Sequence, residues 1–244
     1  MSQDLLTRRS GALLEITLNR PDEGNGASDA MAAELTNLLL EVDPSVTLVV
    51  LRGAGKDFCI GRSSMGRAAP AAPMEALERR NSTEVIFDCY NAFRRARVPV
   101  IGVIQGRALG FGCAMAALCD ITLASDAATF QIPEMSHNIM PTMVMSALVD
   151  RVSPKDLGYL VWSTDVIDAQ RALSVGIANK VVPAANLDAE VEKLSNWLLK
   201  LPRPAVLAVK EYARAACGMD IQGAVDFARN LHATINSSSE MRRK

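Results

Sequence analysis

The sequence predicts an α/β fold followed by a helical C-terminal region, and three observations carry that reading. Two nearly continuous apolar runs, residues 46–52 (VTLVVLR) and 98–104 (VPVIGVI), have the composition of strands buried on both faces. Each is followed by a glycine-containing break and, further on, a segment of helical character. After about Met143 the pattern is mainly helical. Strands alternating with helices in this way argue for a sheet covered by helices.

Taken in order, residues 12–18 (ALLEITL) read as a strand, which Asn19-Arg20-Pro21 breaks because proline lacks an N–H and restricts the residue before it. Ser28 suits an N-cap, and residues 28–42 place Met31, Leu35, Leu38 and Leu39 on one helical face. Gly53-Ala54-Gly55 ends the strand at 46–52, and residues 67–73 (RAAPAAP) are expected to be a mobile loop. A helix over 82–97 leads into the strand at 98–104, and a further helix runs from the glycines at 110 and 112 to Leu118. Residues 120–124 and 129–131 read as short strands. Pro154 suits a helix start, Asp168 a helix cap, and Val181-Val182-Pro183 a short extended piece. From Leu187 onward, Pro202 and Pro204 punctuate two or three helices. The expected division is an α/β core over 1–186 and a helical region over 187–244 that serves as an oligomer contact.

Composition narrows the function. The chain of 244 residues can bury one substantial core, and its 49% hydrophobic content argues against disorder. A net charge of −1 gives no reason to expect a nucleic-acid or membrane partner, and Arg242-Arg243-Lys244 reads as a solvated tail. The five cysteines form no zinc-ligand pattern and only His137 and His232 accompany them, so no metal site is expected. Unpaired, mostly buried thiols fit a reducing compartment. Residues 1–10 lack an apolar signal core and no apolar run is long enough to cross a bilayer, so the expectation is a cytoplasmic protein.

Three local features bear on chemistry. Gly53-Ala54-Gly55-Lys56-Asp57-Phe58-Cys59-Ile60-Gly61-Arg62 is a glycine-interrupted loop after a buried strand. Gly106-Arg107-Ala108-Leu109-Gly110-Phe111-Gly112 follows another and opens a helix. Glycines let backbone approach a ligand, and a helix start presents free N–H donors, so two such loops can aim at one developing oxyanion. Either loop alone is more often just a tight turn. No P-loop string occurs, and Gly110-x-Gly112 lacks the third glycine of a dinucleotide fingerprint, so nucleotide folds fall away. The third feature is Gln131-Ile132-Pro133-Glu134, an acid just beyond a short strand, which alone reads as a surface carboxylate.

In order along most of the chain, these strings resemble the crotonase (enoyl-CoA hydratase/isomerase) family, together with Asn19-Arg20-Pro21, Cys119-Asp120-Ile121 and the segment from Asp168 to Pro183. The resemblance implies a spiral of ββα units with C-terminal helices that build a homotrimer, often paired as a hexamer. It implies an acyl-CoA thioester substrate and no separate cofactor, since CoA is part of the substrate. The oxyanion hole would use the backbone N–H groups of Arg62, after Gly61, and of Phe111, between Gly110 and Gly112. The family usually has small residues at 62 and 111, so bulk is expected beside the reacting carbonyl. CoA would thread between the first loop and the turn at 19–27, which contains Asn25, with Lys56 and Lys210 as candidate phosphate partners. Asp22 stands where the family often has a basic residue.

Family hydratases carry one glutamate directly after the Gly-Gly-Cys of the second loop and another in the Gln-x-Pro-Glu motif. Here the loop reads Gly112-Cys113-Ala114, and only Glu134 remains. Hydration needs a water held and deprotonated while a proton reaches the neighbouring carbon, and a missing acid–base group costs about 10²–10⁴-fold. Moving a double bond from 3-enoyl-CoA to 2-enoyl-CoA needs one carboxylate, so an isomerase with Glu134 as acid/base is expected. The alternatives are a weak hydratase, a decarboxylase, a C–C lyase, a thioester hydrolase, or a catalytically degenerate CoA-binding scaffold. Thr142 stands where dienoyl-CoA isomerases place a second acid, which disfavours that reaction. His137 is expected to be an ordinary, partly buried histidine. The 67–73 loop and the methionine-rich residues 135–145 are expected near the acyl tunnel.

Overall fold

The computed structural model describes residues 4–63 and 75–242, so the loop expected at 67–73 lies outside the described residues. In chain order the strands are β1 (Leu5–Ser10), β2 (Leu13–Leu18), β3 (Leu48–Gly53), β4 (Val100–Ile104), β5 (Arg107–Leu109), β6 (Ile121–Ser125), β7 (Thr129–Gln131), β8 (Ile167–Asp168) and β9 (Lys180–Val182). The helices are α1 (Asp29–Leu40), α2 (Ala76–Asn81), α3 (Glu84–Arg95), α4 (Phe111–Leu118), α5 (Thr142–Leu148), α6 (Pro154–Ser163) and α7 (Ala169–Val175). Three more, α8 (Leu187–Lys200), α9 (Arg203–Ala216) and α10 (Ile221–Asn236), follow at the C-terminal end.

The main sheet has the order β1-β2-β3-β4-β6-β9. A hairpin joins β1 to β2, and every later pairing in this sheet is parallel. A small sheet, β5-β7-β8, lies beside it. Isolated bridges from Cys59 to Ala108 and from Ala27 to Arg62 tie the first loop alongside. The chain thus repeats one move: main-sheet strand, short segment at the small sheet, helix. That is the ββα spiral the sequence led us to expect.

The reason for the continuous apolar strands is visible in the packing. One face of the sheet meets a core in which α1, α3 and α4 bring Leu35, Phe93 and Phe111 against Ile16 and Leu51. On the other face Leu48, Val50, Ile101 and Val103 are covered by Leu187 and Val191 of α8. Strands covered on both sides have no polar face to alternate. Ser28 caps α1 by accepting from the Met31 N–H, Asp168 caps α7 through the Arg171 N–H, and Pro154 occupies the first turn of α6.

Two strands had no legible signal. In β1 only Leu5 is buried and the other five residues are exposed, so an edge strand shows no alternation. β8 is two residues long and exists only by pairing with β7. The helix expected over 82–97 begins at Glu84, with a separate α2 before it. Among the described residues no helix is long and apolar enough to cross a membrane.

Candidate active site

Two glycines aim two backbone N–H groups. Gly61 has φ 115, and Gly110, the N-cap of α4, has φ 49 and ψ −111, backbone that side-chain-bearing residues rarely adopt. Each is followed by an expected oxyanion donor, Arg62 or Phe111. The Ala27–Arg62 bridge is made by the neighbours of Arg62: Ala27 N–H donates to Gly61 O, and Ser63 N–H to Ala27 O, both at 2.9 Å. In a parallel bridge this turns the Arg62 N–H to the opposite side. Phe111 opens α4, where an N–H has no intrahelical acceptor and meets the positive end of the helix dipole. The loops lie side by side, since Cys59 N–H donates to Arg107 O and Leu109 N–H to Cys59 O at 2.9 Å. A Cβ on Gly112 would sit 2.0 Å from Cys59 O, so only glycine permits that approach.

The side chains at these positions correct one expectation. Phe111 is outside the left-handed region and is 3% exposed, its ring stacked on Tyr90 with centroids 5.4 Å apart. Its bulk is core packing, not an obstacle above the N–H. The Arg62 guanidinium pairs with Asp29 at 2.6 Å, which ties the first loop to the start of α1.

Glu134 is positioned by the small sheet. Leu109 pairs with Gln131, and Gly110 N–H donates to Gln131 O at 2.9 Å, so the end of β7 is fixed to the N-cap of α4. Pro133 and Glu134 follow, and Glu134 opens a single 3-10 turn, Glu134–His137. Its side chain is buried and Oε2 has no hydrogen-bond partner. Burial raises the Glu134 carboxyl above the usual glutamate range, while its own backbone N–H and the charge of His137 pull it back. Burial pushes the Cys113 thiol of α4 up to about 12, and the charge of Glu134 adds to this. The Tyr90 phenol is held well above its ordinary value by burial, then by Cys89 and Glu134. All eight residues of α4 are buried, and Ala114, which follows Cys113, carries only a methyl group.

Among the described residues the buried carboxylates are Asp57 and Glu134. Asp57 is gripped by the Arg107 fork, Nε to Oδ1 at 2.8 Å and Nη2 to Oδ2 at 2.7 Å, which holds its carboxyl below the usual range. Among the described residues Glu134 has no ion pair within 4 Å. No cluster of three or more His, Cys, Asp or Glu that could hold a metal occurs among the described residues. All five cysteines are free, four of them buried.

A cavity of about 540 Å³ opens between the turn at 19–27 and the first loop, lined by Pro21, Gly24, Lys56, Arg62, Arg107 and His137 among others. Lys56, the expected phosphate partner, lines this cavity. Asn25 is not at the surface of this groove. It is fully buried, its Oδ1 accepts from Arg20 N–H at 2.8 Å, and its Nδ2 donates to Ala54 O and Asp57 O at 2.9 and 2.8 Å. It staples the turn to the first loop and leaves no group for a ligand. Lys210 is also corrected: on α9, it donates to Asp120 Oδ2 at 2.7 Å and Phe93 O at 2.9 Å and is buried away from this cavity. His137 is exposed on the cavity rim, not partly buried.

Sequence reasoning missed Tyr90 and the Asp57–Arg107 clamp. Tyr90 shares the apolar face of α3 with Ile86, Cys89 and Phe93, so it reads as core, and its phenol was the available signal. Asp57 and Arg107 lie 50 residues apart and have no sequence signature as a pair.

A ββα spiral carrying paired strand-to-helix glycine loops and a buried glutamate after β7 is a crotonase-type fold. The chain belongs to the enoyl-CoA hydratase/isomerase family, whose model matches residues 8–244. It is 28% identical over 234 residues to a crotonyl-CoA hydratase of Syntrophomonas wolfei, covering 95% of this chain and 87% of that one. It is 31% identical over 229 residues to a carnitinyl-CoA dehydratase of Proteus mirabilis, covering 91% and 84%. The crystal structure of an enoyl-CoA hydratase from Mycobacterium smegmatis superposes with a TM-score of 0.90 at 28% identity, covering 98% of this chain and 93% of that one.

Proposed function

We propose that this acyl-CoA enzyme moves the double bond of a 3-enoyl-CoA to the 2 position. The observation that carries the reading is Glu134, a buried carboxylate with Oε2 unpartnered, together with an α4 that contains Ala114 and no acid. The thioester oxygen sits against the Arg62 and Phe111 N–H groups. Glu134 takes the proton from C2, and the C–H electron pair enters a dienolate whose charge rests on that oxygen. Glu134 then returns the proton to C4, which leaves the C2–C3 double bond. CoA lies in the cavity beside Lys56, with its phosphates near that lysine, and no separate cofactor takes part. Gly61, Gly110 and Gly112 shape the acyl end. Residues 187–244, with Trp197, Val209 and Ile221 exposed, form the contact of a homotrimer or hexamer, and the enzyme works in the cytoplasm.

Hydration of a 2-enoyl-CoA is the second reading, favoured by the crotonyl-CoA hydratase relative. A panel of 2-enoyl-, 3-enoyl- and malonyl-type CoA thioesters, assayed with wild type, Ala114→Glu and Glu134→Ala, separates them. Wild type is expected to isomerise 3-enoyl-CoA, and Ala114→Glu to gain hydration. Efficient hydration of crotonyl-CoA by wild type, or isomerisation that survives Glu134→Ala, refutes the isomerase.

A further inference from the structure

Gln105 follows β4 and directly precedes the second glycine loop, and its side chain reaches back to the first. Its Nε2 donates to Gly53 O at 2.9 Å, to Asp57 O at 2.8 Å and to Gly55 O at 3.2 Å. Two N–H groups thus serve three carbonyls, and the opposite flip of the amide would set Oε1 against all three. Asn25 Nδ2 meets the same loop on Ala54 O and Asp57 O. The carbonyls of Gly53, Ala54, Gly55 and Asp57 therefore end on two carboxamides. Oxygens gathered in this way stay together only while a donor sits among them. The neighbours of Gln105 hold the same segment. A Cβ on Gly106 would lie 2.0 Å from Lys56 O, so the loop backbone rests on a residue with no side chain. Arg107 grips the Asp57 carboxylate, and Ser125 Oγ donates to Gln105 O at 3.1 Å, which ties the base of the arm to the end of β6. Gly55, at φ 72, abuts the turn across the cavity, where a Cβ would come within 2.9 Å of the Pro21 ring.

We propose that Gln105 is a positioning residue for ligand binding: its carboxamide sets the backbone from Gly53 to Asp57 and so holds Lys56 where the phosphates of a CoA thioester reach it. With its carbonyls drawn onto Gln105 and Asn25, the loop leaves Lys56 exposed and lining the cavity. Gln105 lies behind this wall, outside the cavity lining, and acts through the loop. The proposal rests on the reading of Lys56 as a phosphate partner and is independent of which reaction follows binding.

The test is a double-mutant cycle on the affinity of the intact chain for free CoA, measured by calorimetry with wild type, Gln105→Met, Lys56→Met and the pair. Methionine keeps the length and bulk of glutamine and removes both donors. Gln105→Met is expected to raise Kd about fivefold, the scale of one net hydrogen bond, and Lys56→Met at least as much. In the Lys56→Met background the effect of Gln105→Met is expected to vanish, because nothing is left to position. A purely structural role would lower the melting temperature and leave the Kd of the folded protein where it was. Gln105→Asn, which keeps the carboxamide but is one methylene short, carries the same expectation and replaces Gln105→Met if that variant does not fold. An unchanged Kd in the folded Gln105 variant, or the same loss in both backgrounds, overturns the proposal and leaves the reading of Lys56 standing. If Lys56→Met binds CoA as wild type does, the reading of Lys56 fails and takes the proposal with it.

Discussion

Replacing Glu134 by glutamine is expected to abolish turnover and stabilise the protein at once. The activity term follows from losing the acid/base, about 10²–10⁴-fold in kcat. The stability term comes from Glu134 Oε2, a buried acceptor with no partner, a condition that costs about 1–3 kcal/mol. Glutamine removes the charge but keeps one polar oxygen and adds an NH2 group with two N–H donors, so the lower end, about 1 kcal/mol, applies. In a chain of this size that raises Tm by about 2–4 °C. The pH dependence has a definite sign. Burial raises the folded carboxyl above its unfolded value, which is about 4.3. The stability contributed by the protonated form is therefore fully present below that value and is lost as pH rises through the raised folded one. Glutamine lacks this loss, so its advantage is largest above the raised folded value and shrinks as pH falls toward the unfolded one. Thermal unfolding of both proteins from pH 8 down to about 4.3 is the assay. A variant no more stable than wild type at pH 8, or an advantage that does not shrink in acid, refutes the account of a strained, buried carboxylate.

Two further substitutions probe the backbone and the clamp. Gly110→Ala forces a Cβ onto φ 49 and ψ −111, which is expected to cost about 1–3 kcal/mol in urea unfolding and to lower kcat by displacing the Phe111 N–H. Arg107→Gln leaves Asp57 buried without its partner, at a cost of about 1–3 kcal/mol. Because the Arg107 fork holds the Asp57 carboxyl below its unfolded value, this stability is present above about pH 3.9 and lost in acid. The deficit of the variant is therefore expected to be full at neutral pH and to narrow in acid denaturation.

The sequence by itself determined the class of fold, because strands buried on both faces leave continuous apolar runs and helix caps leave short polar signals. Ser28, Pro154 and Asp168 sit at the helix starts where they were expected. It also showed Ala114 after Gly112-Cys113 and Glu134 after Gln131-Ile132-Pro133, since the presence or lack of a carboxylate is a matter of residue identity. β1 and β8 were not legible, because an exposed edge strand and a two-residue strand owe their existence to partners elsewhere in the chain. Asn25 and Lys210 were misplaced for a related reason. A polar side chain reads the same whether it faces a ligand or is consumed by distant backbone, and here Ala54, Asp57, Phe93 and Asp120 consume them. Only the tertiary structure put Phe111 against Tyr90, left Glu134 Oε2 unpartnered and exposed His137 at the end of the same 3-10 turn. Burial and charge at a site are properties of how separate elements pack, and local sequence carries no record of that packing.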